Sequence, residues 1–302
     1  MNVRDLAALL LLASIWGGSF IFMRVAAPEF GIYVLVAIRT VLATLVLLPF
    51  LIAARAVKEC RQHWLAIALV GMVNTAIPFV LFNYSSLHLE AGVNAILNAT
   101  APMFGALTAW LWLGDRLNRV AVGGLVLGFA GVAVISQQKV GEGTVSIAPI
   151  LAALVATTCY GLAASMMKRW LWGVKPIAVA AGSQAMASLM LLPSAIMTLP
   201  STLPGQAAWL NAVALAVLGT GIAYILYFYL IGSVGPAKAI TVAYLVPVFG
   251  IIWGLIFLGE SLSVWSMAGG AMILTGVALT TGVVRWRRAP ATPPDEGSQP
   301  PR

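Results

Sequence analysis

The chain has 302 residues, 61% of them hydrophobic and 9% charged, with a formal net charge of +8. Soluble domains carry about 25% charged residues. A chain this poor in charge cannot cover a surface that faces water, so lipid must be its solvent. The basic residues lie at the ends of apolar runs and in short loops rather than on one continuous face. That placement argues against nucleic acid as a partner and makes the positive charge a signal of topology.

A hydrocarbon core about 30 Å thick takes about 20 apolar residues per helix. Apolar runs fall at 5–26, 31–53, 64–85, 92–113, 119–137, 147–167, 176–197, 208–231, 236–258 and 263–284. The first run has Arg4 ahead of it and Val25-Ala26-Ala27 beyond it, a faint likeness to a cleaved leader. It is too long for one and contains Trp16-Gly17-Gly18, so a retained helix is expected. Pro28-Glu29, the loop from Arg55 to His63, Gly114-Asp115-Arg116, Lys139 to Gly143 and Gly259-Glu260 separate the runs. Residues 287–302 are polar and proline-rich, and a disordered tail is expected there.

With the N-terminus in the cytoplasm, the inner loops receive Arg4, Arg55, Lys58, Arg61, Arg116, Arg119, Lys168, Arg169, Lys175, Lys238, Arg285, Arg287, Arg288 and Arg302. The outer loops receive only Arg24 and Lys139, and Arg39 falls within the second run. This asymmetry predicts a multi-pass protein of the cell (inner or plasma) membrane with both termini cytoplasmic. Ten spans agree, because an even number returns the chain to its starting side.

The two halves resemble each other at a shift of about 145 residues. Ala101-Pro102-Met103-Phe104-Gly105 matches Val246-Pro247-Val248-Phe249-Gly250, and Leu113-Gly114-Asp115-Arg116-Leu117 matches Leu258-Gly259-Glu260-Ser261-Leu262. Gly131-Val132-Ala133 matches Gly276-Val277-Ala278 at the same offset, and at 144 Trp16-Gly17 meets Tyr160-Gly161 and Met23-Arg24 meets Met167-Lys168. An odd number of spans per copy makes the second copy enter the membrane from the opposite side. The expected fold is therefore an all-α membrane protein of ten transmembrane helices in two inverted five-helix repeats, 1–138 and 147–286, followed by the tail 287–302. Secondary transporters built this way place their substrate near mid-membrane between the repeats.

Several of these motifs resemble the EamA-type permeases of the drug/metabolite transporter superfamily. They are Trp16-Gly17, Arg39, Ala91-Gly92-Val93 and Pro102 with Leu113-Gly114-Asp115-Arg116-Leu117, then Gly235-Pro236-Ala237, Tyr244-Leu245-Val246-Pro247-Val248-Phe249 and Leu258-Gly259-Glu260. The resemblance covers 5–284. It implies a ten-helix carrier, usually an exporter of amino acids or other small metabolites, with both termini cytoplasmic.

The residues themselves offer candidates for substrate binding. Arg39 lies about eight residues into its span, roughly 12 Å deep at ~1.5 Å per residue. A charge there should face the protein interior, as an anchor for a carboxylate or as a structural donor to helix carbonyls. Glu90, Asn94, Asn98 and Pro102 recur every four residues, which predicts one polar face of the fourth helix lining a cavity. Pro102 and Pro247 each free a backbone carbonyl and are candidate hinges. Trp16 and Tyr160 stand in mid-helix, and with Tyr224, Tyr227 and Tyr244 they supply aromatic faces with polar tips. Asn74 and Gln184 are further mid-span amides. Gly124 and Gly128, with Gly269, Gly270 and Gly276, predict close helix contact, within a monomer or in a homodimer.

No carboxylate pair, Ser–His pair or phosphate-binding loop falls at membrane depth, so an intramembrane enzyme and a built-in ATPase are disfavoured. Cys60 and Cys159 lack metal or disulfide spacing, and no cofactor or metal is expected. The expected partners are a small-molecule substrate and membrane lipid. A non-transporting scaffold or sensor on the same fold remains the alternative.

Overall fold

The computed structural model describes residues 1–141 and 146–282; the Arg285-Trp286-Arg287-Arg288 cluster and the tail 287–302 lie outside the described residues. Every regular element among the described residues is helical. Eight helices are long and apolar enough to cross a membrane: α1 (Val3–Phe30), α2 (Ile32–Ala53), α3 (Trp64–Ser86), α4 (Ala91–Leu113), α5 (Arg119–Gly141), α6 (Ala148–Trp170), α7 (Pro176–Met197) and α8 (Gln206–Val234). Two shorter apolar helices follow, α9 (Val242–Leu258) and α10 (Val264–Thr280), of 17 residues each. At about 1.5 Å per residue these reach about 26 Å, the lower end of the spanning range.

Local chemistry explains where the helices start and stop. Asn2 and Asp5 form a reciprocal cap at the start of α1. Gly114 (φ 74°) and Gly259 (φ 63°), in the left-handed region that suits glycine, end α4 and α9. Four residues beyond each, a side chain caps the next helix. Asn118 Oδ1 accepts the Ala121 N–H at 2.8 Å, and Ser263 Oγ accepts the Ser266 N–H at 3.0 Å. The turns after α4 and α9 thus use the same devices at positions 145 residues apart.

Three helices depart from regular α geometry. α3 contains a π-helical turn over Met72–Ala76, and α8 one over Val217–Ile222. Pro78 follows the first and withholds an N–H from the ladder, while Gly219 and Gly221 lie within the second. α4 is interrupted at residues 99–100. That break corrects the expectation of one continuous polar face through Glu90, Asn94, Asn98 and Pro102. It also bears on the hinges. Pro102 sits in the first turn of Ala101–Thr108, downstream of the break, whereas Pro247 is buried inside the unbroken α9.

Packing runs across the middle of the chain. α1 lies on α8 and α9, as α6 lies on α3 and α4; α2 packs on α8, as α7 packs on α3. α2 also meets α7, α4 meets α9, and α5 meets α10. Small residues bring these backbones together. A Cβ on Gly17 would lie 2.7 Å from Gly250 N, and one on Gly161 2.6 Å from Gly105 N. Between α5 and α10 the distances are 2.5 Å from a Gly276 Cβ to Gly124 O and 2.5 Å from a Gly131 Cβ to Gly269 O. The glycine-rich faces of α5 and α10 are therefore buried against each other within one chain.

Ion pairs close the two ends of the bundle. At one end Arg24 Nε stands 3.7 Å from Glu260 Oε1, and Lys139 pairs with Glu90. Glu260 Oε2 also accepts the Ala91 N–H at 2.8 Å, fastening the loop after α9 to the start of α4. Burial pushes the Glu260 carboxyl above its ordinary range, while the Ala91 N–H and Arg24 oppose that rise. At the other end Lys168 Nζ stands 3.1 Å from Asp115, and Lys175 Nζ 3.4 Å from Glu59.

Two outcomes test this packing. Gly276→Leu forces a side chain into Gly124 and should cost about 1–3 kcal/mol, seen as a lower unfolding temperature in detergent. Gly123→Ala, with nothing within 4 Å of its new Cβ, should leave that temperature unchanged. Glu260→Gln keeps the acceptor for the Ala91 N–H and removes a half-buried charge, so stability should hold at neutral pH. Glu260→Ala strands the N–H and should lose about 1–3 kcal/mol by the same assay.

Candidate functional site

The π-turns of α3 and α8 and the middles of α2, α6 and α7 bring a polar group together inside the bundle. Arg39 is 7% exposed, and its Nε donates to Thr220 Oγ1 at 2.9 Å. Its Nη1 reaches the Met23 sulfur at 3.9 Å, a weak acceptor, and its guanidinium carbon lies 3.5 Å from the centroid of Phe79. Such stacking holds a cation against an apolar wall. A guanidinium has five N–H donors, so most of them are left without a protein acceptor. None of the ion pairs among the described residues includes Arg39.

Tyr160 and Tyr224 are the ionisable neighbours of Arg39. Both stand in mid-span yet keep partial exposure, as Asn74, Trp16 and Tyr227 do. These side chains line the polar group without being fully packed away. The Tyr224 hydroxyl faces Asn74 and Gln184. Gln184 is fully buried, and neither its amide oxygen nor its nitrogen completes a hydrogen bond. Aromatic rings continue the group in two directions. Tyr160 stacks on Phe82 at 6.1 Å between centroids, and Phe82 meets Phe20 edge-on at 5.7 Å. Tyr224 neighbours Phe228, Phe228 neighbours Tyr227, and Tyr227 lies 5.4 Å from Trp16.

Seven of the ten residues singled out as binding candidates from sequence therefore come together: Trp16, Arg39, Asn74, Tyr160, Gln184, Tyr224 and Tyr227. Three do not join them through any bond. Asn94 is fully buried and spends its amide on Ser85 Oγ at 2.6 Å and Ser86 Oγ at 3.3 Å, tying α4 to the end of α3. Tyr244 shares a hydrogen bond of 2.6 Å with Thr281, at the end of the bundle where α9 begins. Asn98 is half-buried beside the break in α4 and makes no hydrogen bond. Of the fourth-helix stripe, Glu90 and Asn94 are thus spent on joining helices, while Asn98 is not.

Sequence reasoning missed Thr220, the acceptor for Arg39, and Thr75, whose buried hydroxyl has no partner. A signal was present. Thr75 and Thr220 are 145 residues apart, and so are Arg39 and Gln184. The chemistry this group offers is that of recognition. One cation, several amides and hydroxyls, and aromatic walls can hold a small amphipathic anion by charge and hydrogen bonds.

Known proteins share this architecture. A crystal structure of a chain described only as a protein superposes with a TM-score of 0.64 at 20% identity, covering 94% of this chain and 99% of that one. This likeness concerns the fold alone. Transporter YvbV of Bacillus subtilis, named as uncharacterized, is 26% identical and matches 96% of this chain over 95% of its own length. A probable terminal-alkyne amino-acid exporter of Streptantibioticus cattleyicolor is 29% identical, with 95% and 96% covered. The inner membrane transporter YedA of Escherichia coli K12, also named as uncharacterized, is 26% identical, with 95% and 94% covered. The model of the EamA-like transporter family matches twice, over residues 5–137 and 147–282. With both halves matched, and ten apolar helices enclosing a polar centre, this multi-pass membrane chain belongs to the EamA-like transporter family.

Proposed function

We propose that the chain is a secondary carrier that moves a small carboxylate-bearing metabolite, an amino acid or a related compound, by alternating access. One observation carries the reading. Arg39 is buried at mid-span, where an arginine costs about 2.5–3.5 kcal/mol on insertion scales, and no carboxylate among the described residues offsets it. A substrate carboxylate beside Tyr160 and Tyr224 would supply the missing charge and accept the free N–H donors in bidentate fashion. The aromatic walls formed by Trp16, Tyr227 and Phe82 would take an apolar side chain.

The proposed machinery is two inverted repeats, 1–138 and 147–286, in the cell membrane with both termini cytoplasmic. The double family match and the reciprocal packing of α1 and α6 support that division. Arg24 and Lys168 are 144 residues apart, and Asp115 and Glu260 are 145 apart. The pairs Arg24–Glu260 and Lys168–Asp115 therefore occupy equivalent places at opposite ends. Breaking one while keeping the other would open one side of the site at a time. Export is the direction supported by the relative named as an exporter.

Counterflow in proteoliposomes tests the carrier. Preloaded amino acids and their derivatives should drive uptake of one labelled tracer, and Arg39→Ala should lower it at least about tenfold (~1.4 kcal/mol). Arg39→Lys should rescue only in part, because an ammonium lacks the planar fork. Unchanged exchange in Arg39→Ala would remove the site. Silence across the whole carboxylate panel would remove the carrier. Orientation is read separately, by impermeant maleimide on intact cells in a cysteine-free background. Gly141→Cys should label directly and Lys58→Cys only after permeabilisation; the reverse would invert the topology.

A further inference from the structure

We propose that Gln184 sets the charge class of the cargo: the site takes a monoanionic carboxylate whose second polar group is uncharged, in preference to a zwitterion. This inference rests on the carrier reading and narrows its substrate.

The first support is an account of negative charge. Each of the six described carboxylates is committed at a helix end. Asp5 accepts from Ser233 and Tyr229, Glu29 from the Gly205 N–H, and Glu59 from Lys175. Glu90 holds Lys139, Asp115 holds Lys168, and Glu260 holds Arg24 and the Ala91 N–H. None of them stands beside Arg39, whose ionisable neighbours are two tyrosines. The site therefore carries one fixed positive charge and no fixed negative one. A substrate carboxylate balances it. A substrate ammonium would find no counter-ion there and would be repelled by the guanidinium it lies near.

The second support is what faces the rest of the substrate. Gln184 is fully buried with both amide atoms unpaired, and Thr75 is fully buried with its hydroxyl unpaired. Buried polar atoms in this state are uncommon and costly unless something else satisfies them. Gln184 and Arg39 flank the same residue, since Tyr224 faces both of them. Its amide offers one acceptor and two donors but no charge. That set matches an N-acyl amide, a keto group or a hydroxyl.

The third support is a comparison of equivalent positions. Arg39 and Gln184 are 145 residues apart, and so are Thr75 and Thr220. In one half Arg39 donates to Thr220. In the other the equivalent amide and hydroxyl, on Gln184 and Thr75, make no hydrogen bond. The two halves thus present a charged end and a neutral end to one molecule.

The test is counterflow with a panel of amino acids, each alongside its N-acetyl and 2-oxo forms, at neutral pH. The wild type should exchange at least one monoanionic form about tenfold better than its parent zwitterion (~1.4 kcal/mol). Gln184→Glu supplies the missing negative charge and should reverse that preference, with unfolding temperature followed to confirm a folded variant. A wild type that exchanges zwitterions as well as, or better than, their N-acetyl and 2-oxo forms overturns this inference and leaves the carrier standing. A folded Gln184→Glu with unchanged preference overturns the role of Gln184. No exchange of any form removes the carrier and this inference with it. The wild-type comparison decides the charge class even where the variant fails to fold.

Discussion

Lipid cannot hydrogen-bond to a polypeptide, and the structure follows from that constraint. Backbone groups satisfy themselves within helices, and the helices must then be held together without a hydrophobic difference between protein and solvent. Close approach does this. Gly17 against Gly250, Gly161 against Gly105, and the glycines of α5 against those of α10 bring backbones within reach of dispersion. These contacts join the first half of the chain to the second, so neither half forms its packed surfaces alone.

The same constraint makes the polar centre conspicuous. Several buried polar groups elsewhere are consumed in pairs, as Asn94 is by Ser85 and Ser86 and Thr100 by Thr157. Around Arg39 the pairing stops. Thr220 and the Phe79 ring hold the guanidinium in place, yet Gln184 on α7 and Thr75 on α3 complete no hydrogen bond. The π-turns matter here. Each inserts extra backbone into a helix and turns a short stretch out of register, and those stretches carry Asn74, Thr75 and Thr220. Irregular backbone at membrane depth is tolerated where it is enclosed by protein or lines a wet cleft.

The ion pairs among the described residues lie at the two ends, and Arg39 is in none of them. Arg24–Glu260 at one end is the more buried pair, and Lys168–Asp115 at the other is the more exposed. Equivalent contacts held to different degrees suit a protein with two arrangements of similar energy, as the proposed alternating access requires.

Composition and hydropathy alone determined that the chain is helical, lies in a membrane and has ten apolar segments, because the cost of polar groups in lipid acts on every residue independently of its neighbours. The paired glycines, the Leu-Gly-acidic turns and the mid-span Arg39, Tyr160 and Gln184 were legible for the same reason, as exceptions to an apolar background. The sequence could not say which polar residues were free. Asn94 and Gln184 look alike along the chain, and only tertiary packing gave Ser85 and Ser86 to one and left the other beside Tyr224 with no completed bond. The break at residues 99–100 and the place of Thr220 under Arg39 were decided in the same way. Hydrogen bonding is a property of pairs, and a partner can lie on a helix far along the chain, as Thr220 lies 181 residues from Arg39, so only the folded arrangement assigns them.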